Sequence, residues 1–247
     1  MKSSVTVSVV TIVLVLSAIV DAGKLPAYIQ PCSRSDPNIG ECAKRNGQLA
    51  LPTLVKGDKT YKIPSLSPLK IPLISFEASD SLKINIRDCE ITGLEDTVIQ
   101  SANMDINNRR FTFVVHIPRA NLIGEYDING RILILPIQGK GPANITFVDG
   151  TYTYDVDYKI IEKKGVKYIE IDKSSIAYET KRSYYHLDNL FNGDGVLGEQ
   201  MNKFLDENWR EVSKDIGPAL SETISQIITT ILSSILARVP YDEFLIE

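Results

Sequence analysis

The chain has 247 residues, 43% hydrophobic and 23% charged, a balance that excludes a disordered or collagen-like protein. Lys and Arg number 27 against 31 Asp and Glu, for a formal charge of -4. Such a mildly acidic chain lacks the electrostatic footprint of a nucleic-acid binder, and no Lys/Arg run suggests a polybasic membrane patch.

Residues 1–22 read as a secretory leader. Lys2 supplies the positive start, residues 5–20 form an apolar stretch diluted by Thr6, Ser8, Thr11 and Ser17, and Val20-Asp21-Ala22 allows a cut before Gly23. The stretch is shorter than the roughly 20 residues a bilayer span wants, and no later segment is expected to cross a membrane. The expectation is a soluble extracellular protein, residues 23–247, in a single domain.

Residues 25–36 look like an extended arm leading into a polar loop bracketed by Cys32 and Cys42. In a secreted chain that arrangement favours a disulfide. Residues 41–56 carry a weak helical pattern broken by Asn46-Gly47 and Pro52, which predicts a short helix. Pro64, Pro68 and Pro72 then predict a surface loop over 61–73.

From about residue 81 to 187 the apolar period is two. Leu82, Ile84 and Ile86 alternate with polar residues, as do Phe111, Phe113 and Val115, and later Tyr152, Tyr154, Val156 and Tyr158. Cys89 falls inside this pattern and reads as a small buried hydrophobe. Asn129-Gly130 predicts a hairpin turn between residues 122–126 and 132–137, and residues 162–165 predict another. Six to eight antiparallel strands result, with turns too short for βαβ crossovers. Asn144-Ile145-Thr146 is a glycosylation sequon, a glycan site if exposed.

The period then switches. From Leu197 to Leu236 apolar residues recur at steps of three and four, in phase across Gly217-Pro218. That predicts one long helix kinked at Gly217-Pro218. At about 1.5 Å per residue it exceeds the roughly 45 Å diameter of a compact sphere of this size. The molecule is therefore elongated, or the helix bends. The second half of the helix, residues 219–236, carries Glu222 as its one charge and is expected to be buried on most sides, with the sheet curled around it.

Three blocks carry a family likeness. They are Leu25-Pro26 with Pro31-Cys32, Asp36-Pro37-Asn38 and Glu41-Cys42; Gly124 to Arg131 with Leu135-Pro136-Ile137; and His186 to Asp194 with Leu197-Gly198, Met201-Asn202 and Glu207-Asn208-Trp209. They resemble the insect takeout/juvenile hormone binding protein family over essentially the whole mature chain. The resemblance implies an α+β fold: a highly curved antiparallel sheet wrapped around one long C-terminal helix, elongated, with an internal apolar tunnel. It implies a carrier of small hydrophobic molecules, juvenile hormones in one branch and other lipids in the takeout branch. Hormone-binding members typically have a second disulfide, and with only Cys89 left over this chain stands nearer the takeout branch.

Catalysis finds little support. His116 and His186 are the two histidines, no Gly-x-Ser-x-Gly elbow is present, and no His/Cys spacing suits a metal. His186 beside Asp188 reads as a strand end leading into the helix rather than a dyad. The expectation is no catalytic residue, no metal and no cofactor, in a monomer whose partner is a small hydrophobic ligand. Candidate lining residues are Phe113, Val115, Ile132, Ile134, Leu220, Ile224, Ile227 and Ile231, and Tyr152, Tyr154 and Tyr158 are candidate hydroxyls for a ligand head. Periodicity alone fits a filled core as well as a tunnel, so the alternative is a secreted interaction or signalling protein with a solid core. The resemblance favours the tunnel.

Overall fold

The computed structural model describes residues 23–79 and 82–247; the expected leader, residues 1–22, lies outside them. The described elements are β1 (Cys32–Ser33), α1 (Ile39–Leu54), β2 (Leu69–Ser79), β3 (Leu82–Thr92), β4 (Val98–Asp105), β5 (Arg110–Ile132), β6 (Leu135–Lys163), β7 (Val166–Leu187), α2 (Gly195–Glu207), α3 (Trp209–Leu236), α4 (Tyr241–Phe244) and β8 (Leu245–Ile246). The main sheet is antiparallel, in the order β2-β3-β5-β6-β7, with β4 paired to the first part of β5. It curls into a half-barrel, and α3 packs against both β7 and β2. The helix thus bridges the two edges of the sheet.

The curl has a local cause in the two longest strands. In the first part of β5 the inward residues are odd-numbered: Phe113 pairs with Tyr154, whose hydroxyl reaches α3. Further on they are even-numbered, as buried Ala120, Leu122 and Tyr126 show. The change falls at Pro118-Arg119, both exposed, opposite Asp149 with a φ of 49°. Two adjacent outward residues, where the Pro118–Asp149 pair drops out while the register is kept, bend the ladder and exchange its faces.

Apolar burial is divided. Ile74, Leu82, Tyr126, Ile137, Leu205 and Val212 belong to one large cluster joining the sheet to α2 and the start of α3, which marks what we call the wide end. At the other, called the narrow end for its smaller clusters, one gathers Tyr158, Tyr241 and Leu245, and a second Ile63, Ile235 and Val239. The narrow end is closed by segments remote in sequence. β1 pairs with β8, Cys32 is bridged to Cys42 with Cα atoms 6.0 Å apart, and Asn46 Nδ2 donates to the Gln30 and Pro31 carbonyls. The expected disulfide is therefore present, and Cys89 is a buried free thiol donating to the Ile86 carbonyl.

Several expectations change. Residues 69–73, the end of the expected loop, belong to strand β2; it is a sheet edge, where the missing amide hydrogen of Pro72 is tolerated. The β5–β6 turn lies at Leu133-Ile134, four residues past Asn129-Gly130, which stay in the ladder opposite Gln138 and Ile137. Inward burial of Ile132 and Ile137 fixes that register against the local turn signal. The Lys164-Gly165 turn is as expected, both residues having positive φ. The first helix includes Pro52. The C-terminal helix breaks at Asn208, with φ -106° and ψ 27°, whereas Pro218 lies within α3. Asn208 Nδ2 donates to the Phe204 carbonyl, and its own carbonyl accepts from Val212 N–H, so one residue ends α2 and starts α3.

Two further expectations concern α3. By length and composition it is long and apolar enough to cross a membrane, contrary to the reading of the sequence. Within residues 219–236 only Ser225 and Ile235 are buried, so the helix is not surrounded on most sides. It lies across the open side of a half-barrel. Pro218, Glu222, Gln226 and Thr230 face solvent, and the opposite stripe borders the interior.

Candidate functional site

The interior between the two ends is the candidate site. From β5, Phe113 and Val115 face α3; from β6, Tyr152 and Tyr154 stand beside them; from β7, Ser174, Ile176 and Tyr178 complete the row. Across the gap, Leu220 and Ile227 pack toward the wide-end cluster and Ile231 toward the narrow end, with Ile224 on the same stripe. Phe113, Val115, Leu220, Ile224, Ile227 and Ile231 are all only part-buried. Leu220 and Ile227 pack against the larger cluster, yet the row as a whole is less tightly enclosed than a packed core.

Two of the candidates stand elsewhere. Ile132 is 3% exposed within the wide-end cluster. Ile134 is 86% exposed at the tip of the β5–β6 hairpin; the turn displaced from Asn129-Gly130 carries it out of the strand, so it does not face the interior.

The tyrosine hydroxyls differ in their partners. Tyr154 Oη shares a hydrogen bond with Thr229 Oγ1 of α3 at 2.8 Å, and Tyr185 Oη one with Ser213 Oγ at 2.9 Å. Ser174 Oγ reaches both Ser225 and Thr229. These contacts fasten β6 and β7 to the helix through polar atoms rather than bulk. Tyr158 and Tyr178 have buried hydroxyls without a partner. Burial pushes Tyr152 and Tyr158 up to about 12 and raises Tyr178 as well, so all three stay protonated at neutral pH.

Sequence reasoning missed Tyr178 and Phe147. The signal for Tyr178 was the alternation Ser174, Ile176, Tyr178, continuing the inward face of the tyrosines opposite. Phe147 sits just beyond the exchange of faces at Asp149, where a simple period of two gives the wrong side. Tyr178 stacks on Tyr152 at 6.1 Å and meets Phe147 edge-on at 6.1 Å.

The histidines lie off this face. His116 Nε2 is 3.5 Å from Asp149, and His186 Nε2 is 3.1 Å from Asp188, which is exposed. Among the described residues no three His, Cys, Asp or Glu side chains are placed to hold a metal ion. Asn144, the sequon asparagine, is exposed on β6 and accepts from Asn121 Nδ2.

A curled antiparallel sheet with a long helix across its open side, and a row of part-buried apolar residues between the two, defines the class of fold. The haemolymph juvenile hormone binding protein family model matches residues 9–246, and the chain belongs to that family. It is 24% identical to the circadian clock-controlled protein daywake of Drosophila melanogaster over 241 residues, covering 93% of this chain and 92% of that protein. It is 20% identical to a putative beta-carotene-binding protein of Schistocerca gregaria over 217 residues, 87% and 86% of the two chains. The crystal structure of Epiphyas postvittana Takeout 1 superposes with a TM-score of 0.78 at 27% identity, covering 89% of this chain and all of that one.

Proposed function

We propose that this protein is an extracellular, non-enzymatic carrier that holds one small hydrophobic ligand, a lipid, fatty-acid-like or isoprenoid molecule, between α3 and the inner face of the sheet. The observation that carries the reading is the row of part-buried apolar side chains between two closed clusters. Membership of a family named for hormone binding supports it, as does likeness to a protein named for binding beta-carotene. A ligand burying about 300 Å² of apolar surface gains roughly 7–8 kcal/mol before the costs of association. Micromolar affinity then needs no charged contact.

The test is direct. Protein secreted from an insect cell line is denatured and extracted, and the released small molecules are identified by mass spectrometry. A stoichiometric apolar compound is the expected result. In parallel, an environment-sensitive apolar dye is titrated into delipidated protein. Ile224→Trp and Ile227→Trp are expected to weaken the dye at least tenfold while the protein stays folded. Wild-type protein that releases nothing and binds no dye would sink the carrier reading and leave a solid-core interaction protein.

A further inference from the structure

The seam between β7 and α3 opens outward as a cleft of about 950 Å³. The two elements run antiparallel along it. Ser174 meets Ser225 at one end, Tyr178 lies against Gly217 in the middle, and Arg182 lies over the Trp209 ring at the other. The helix presents Ser213, Gly217, Ser221 and Ser225 to the cleft, flanked by the larger Trp209, Arg210, Lys214, Pro218 and Glu222.

Tyr178 stands in the wall between this cleft and the interior. Its ring packs on Phe147 and Tyr152, while the residue also lines the cleft. Its hydroxyl is buried with no partner, beside the bare backbone of Gly217, where a Cβ would stand 3.4 Å away. A buried hydroxyl without a partner destabilises the protein unless something arrives to bond it. Burial holds its pKa above the usual value, so it offers a proton to an acceptor. Tyr158 also lacks a partner, but it is enclosed in the narrow-end cluster.

The charges along the cleft are ordered. Arg210 and Lys214 line it near Trp209, and both Arg182 and Arg210 sit over that ring, at 5.7 and 4.5 Å. Among the described residues, none of these three cations has a carboxylate within ion-pair distance. Two carboxylates also line the cleft, Glu222 toward the Ser225 end and the exposed Glu179 on the β7 side, next in sequence to Tyr178.

We propose that this cleft holds the head of an amphiphilic cargo, a long-chain monocarboxylate, with Tyr178 Oη donating to the head, Arg210 and Lys214 supplying its counter-charge, and the tail lying in the interior. The proposal rests on the carrier reading and adds the ligand's class and orientation. A neutral head of the same length uses only part of this site. An acidic head uses the hydroxyl and the unpaired cations together.

The experiment compares oleate with methyl oleate on the delipidated full chain. Trp209, the one tryptophan of the sequence, lines the cleft and reports on the head through its fluorescence, while the apolar dye reports on the interior. Oleate is expected to bind at least tenfold tighter than its methyl ester and to shift Trp209 emission. Tyr178→Phe is expected to weaken oleate about tenfold while leaving the melting temperature of the empty protein equal or higher. The double variant Arg210→Gln/Lys214→Gln is expected to weaken oleate severalfold, to spare the ester, and to flatten the salt dependence of oleate binding. Equal binding of acid and ester by the wild type, or no effect of Tyr178→Phe on oleate, would overturn the proposal while dye displacement leaves the carrier reading standing. Failure of dye, acid and ester alike overturns both.

Discussion

Several tyrosines are buried on the sheet, and their protonation gives the protein an alkaline limit. Tyr126, Tyr152 and Tyr158 are each pushed up to about 12, mainly by burial, against an ordinary value near 10. A group whose folded pKa is raised contributes stability that is fully present below its unfolded pKa and lost as pH rises through the folded one. Urea midpoints are therefore expected to hold steady to about pH 10 and to fall steeply from there to about pH 12. Replacing Tyr152 and Tyr158 by Phe is expected to shift that fall upward. A midpoint curve through this window that the replacements leave unchanged would count against burial as its cause.

Among the elements, α2 shows how an exposed strand edge is satisfied. Asn202 Oδ1 accepts from Leu187 N–H and its Nδ2 donates to the Leu187 carbonyl, both at 2.9 Å, and Asp206 one helical turn later accepts from Tyr185 N–H. Two side chains thus stand in for a neighbouring strand. Asn202→Ala is expected to cost about 2 kcal/mol, since it strands both polar groups of a part-buried backbone position; equilibrium urea unfolding measures it. The periodicities of two and then 3.6 made the sheet and the C-terminal helix legible. The position of the helix break was not, because Gly217-Pro218 is the stronger local signal, while Asn208 ends one helix and starts the next through bonds to Phe204 and Val212 that an asparagine inside an unbroken apolar period does not announce. Likewise Asn129-Gly130 is the better turn dipeptide, yet the inward demand of Ile132 and Ile137 carries the strands past it. Pro72 hid β2 for the same kind of reason, since nothing local marks a strand as an edge. Of the candidate lining residues, those on the helix could be chosen by phase alone; those on the strands depended on a period that reverses at Pro118-Arg119.

For the molecule as a whole, the narrow end depends on chain segments far apart in sequence. The loop closed by Cys32 and Cys42, ten residues apart, contributes roughly 2–3 kcal/mol in the chain-entropy model. Reduction under native conditions is expected to lower the urea midpoint accordingly and to speed loss of bound dye, since the loosened arm no longer holds β8 and α4 in place. Unchanged dye release in reduced, folded protein would show that the arm plays no part in retention. Saturating a carrier with cargo is also expected to raise its stability, by about 2.7 kcal/mol at a hundred times Kd.

Because α3 touches both sheet edges, the mouth of the half-barrel is one helix across, roughly 10–12 Å with side chains. If a cargo lies behind that helix as proposed, a slender chain is expected to enter more easily than a broad fused-ring body, which has to pry β2 and β7 apart. Chain length would then tune how firmly a cargo is held, and thickness would decide whether it is held at all.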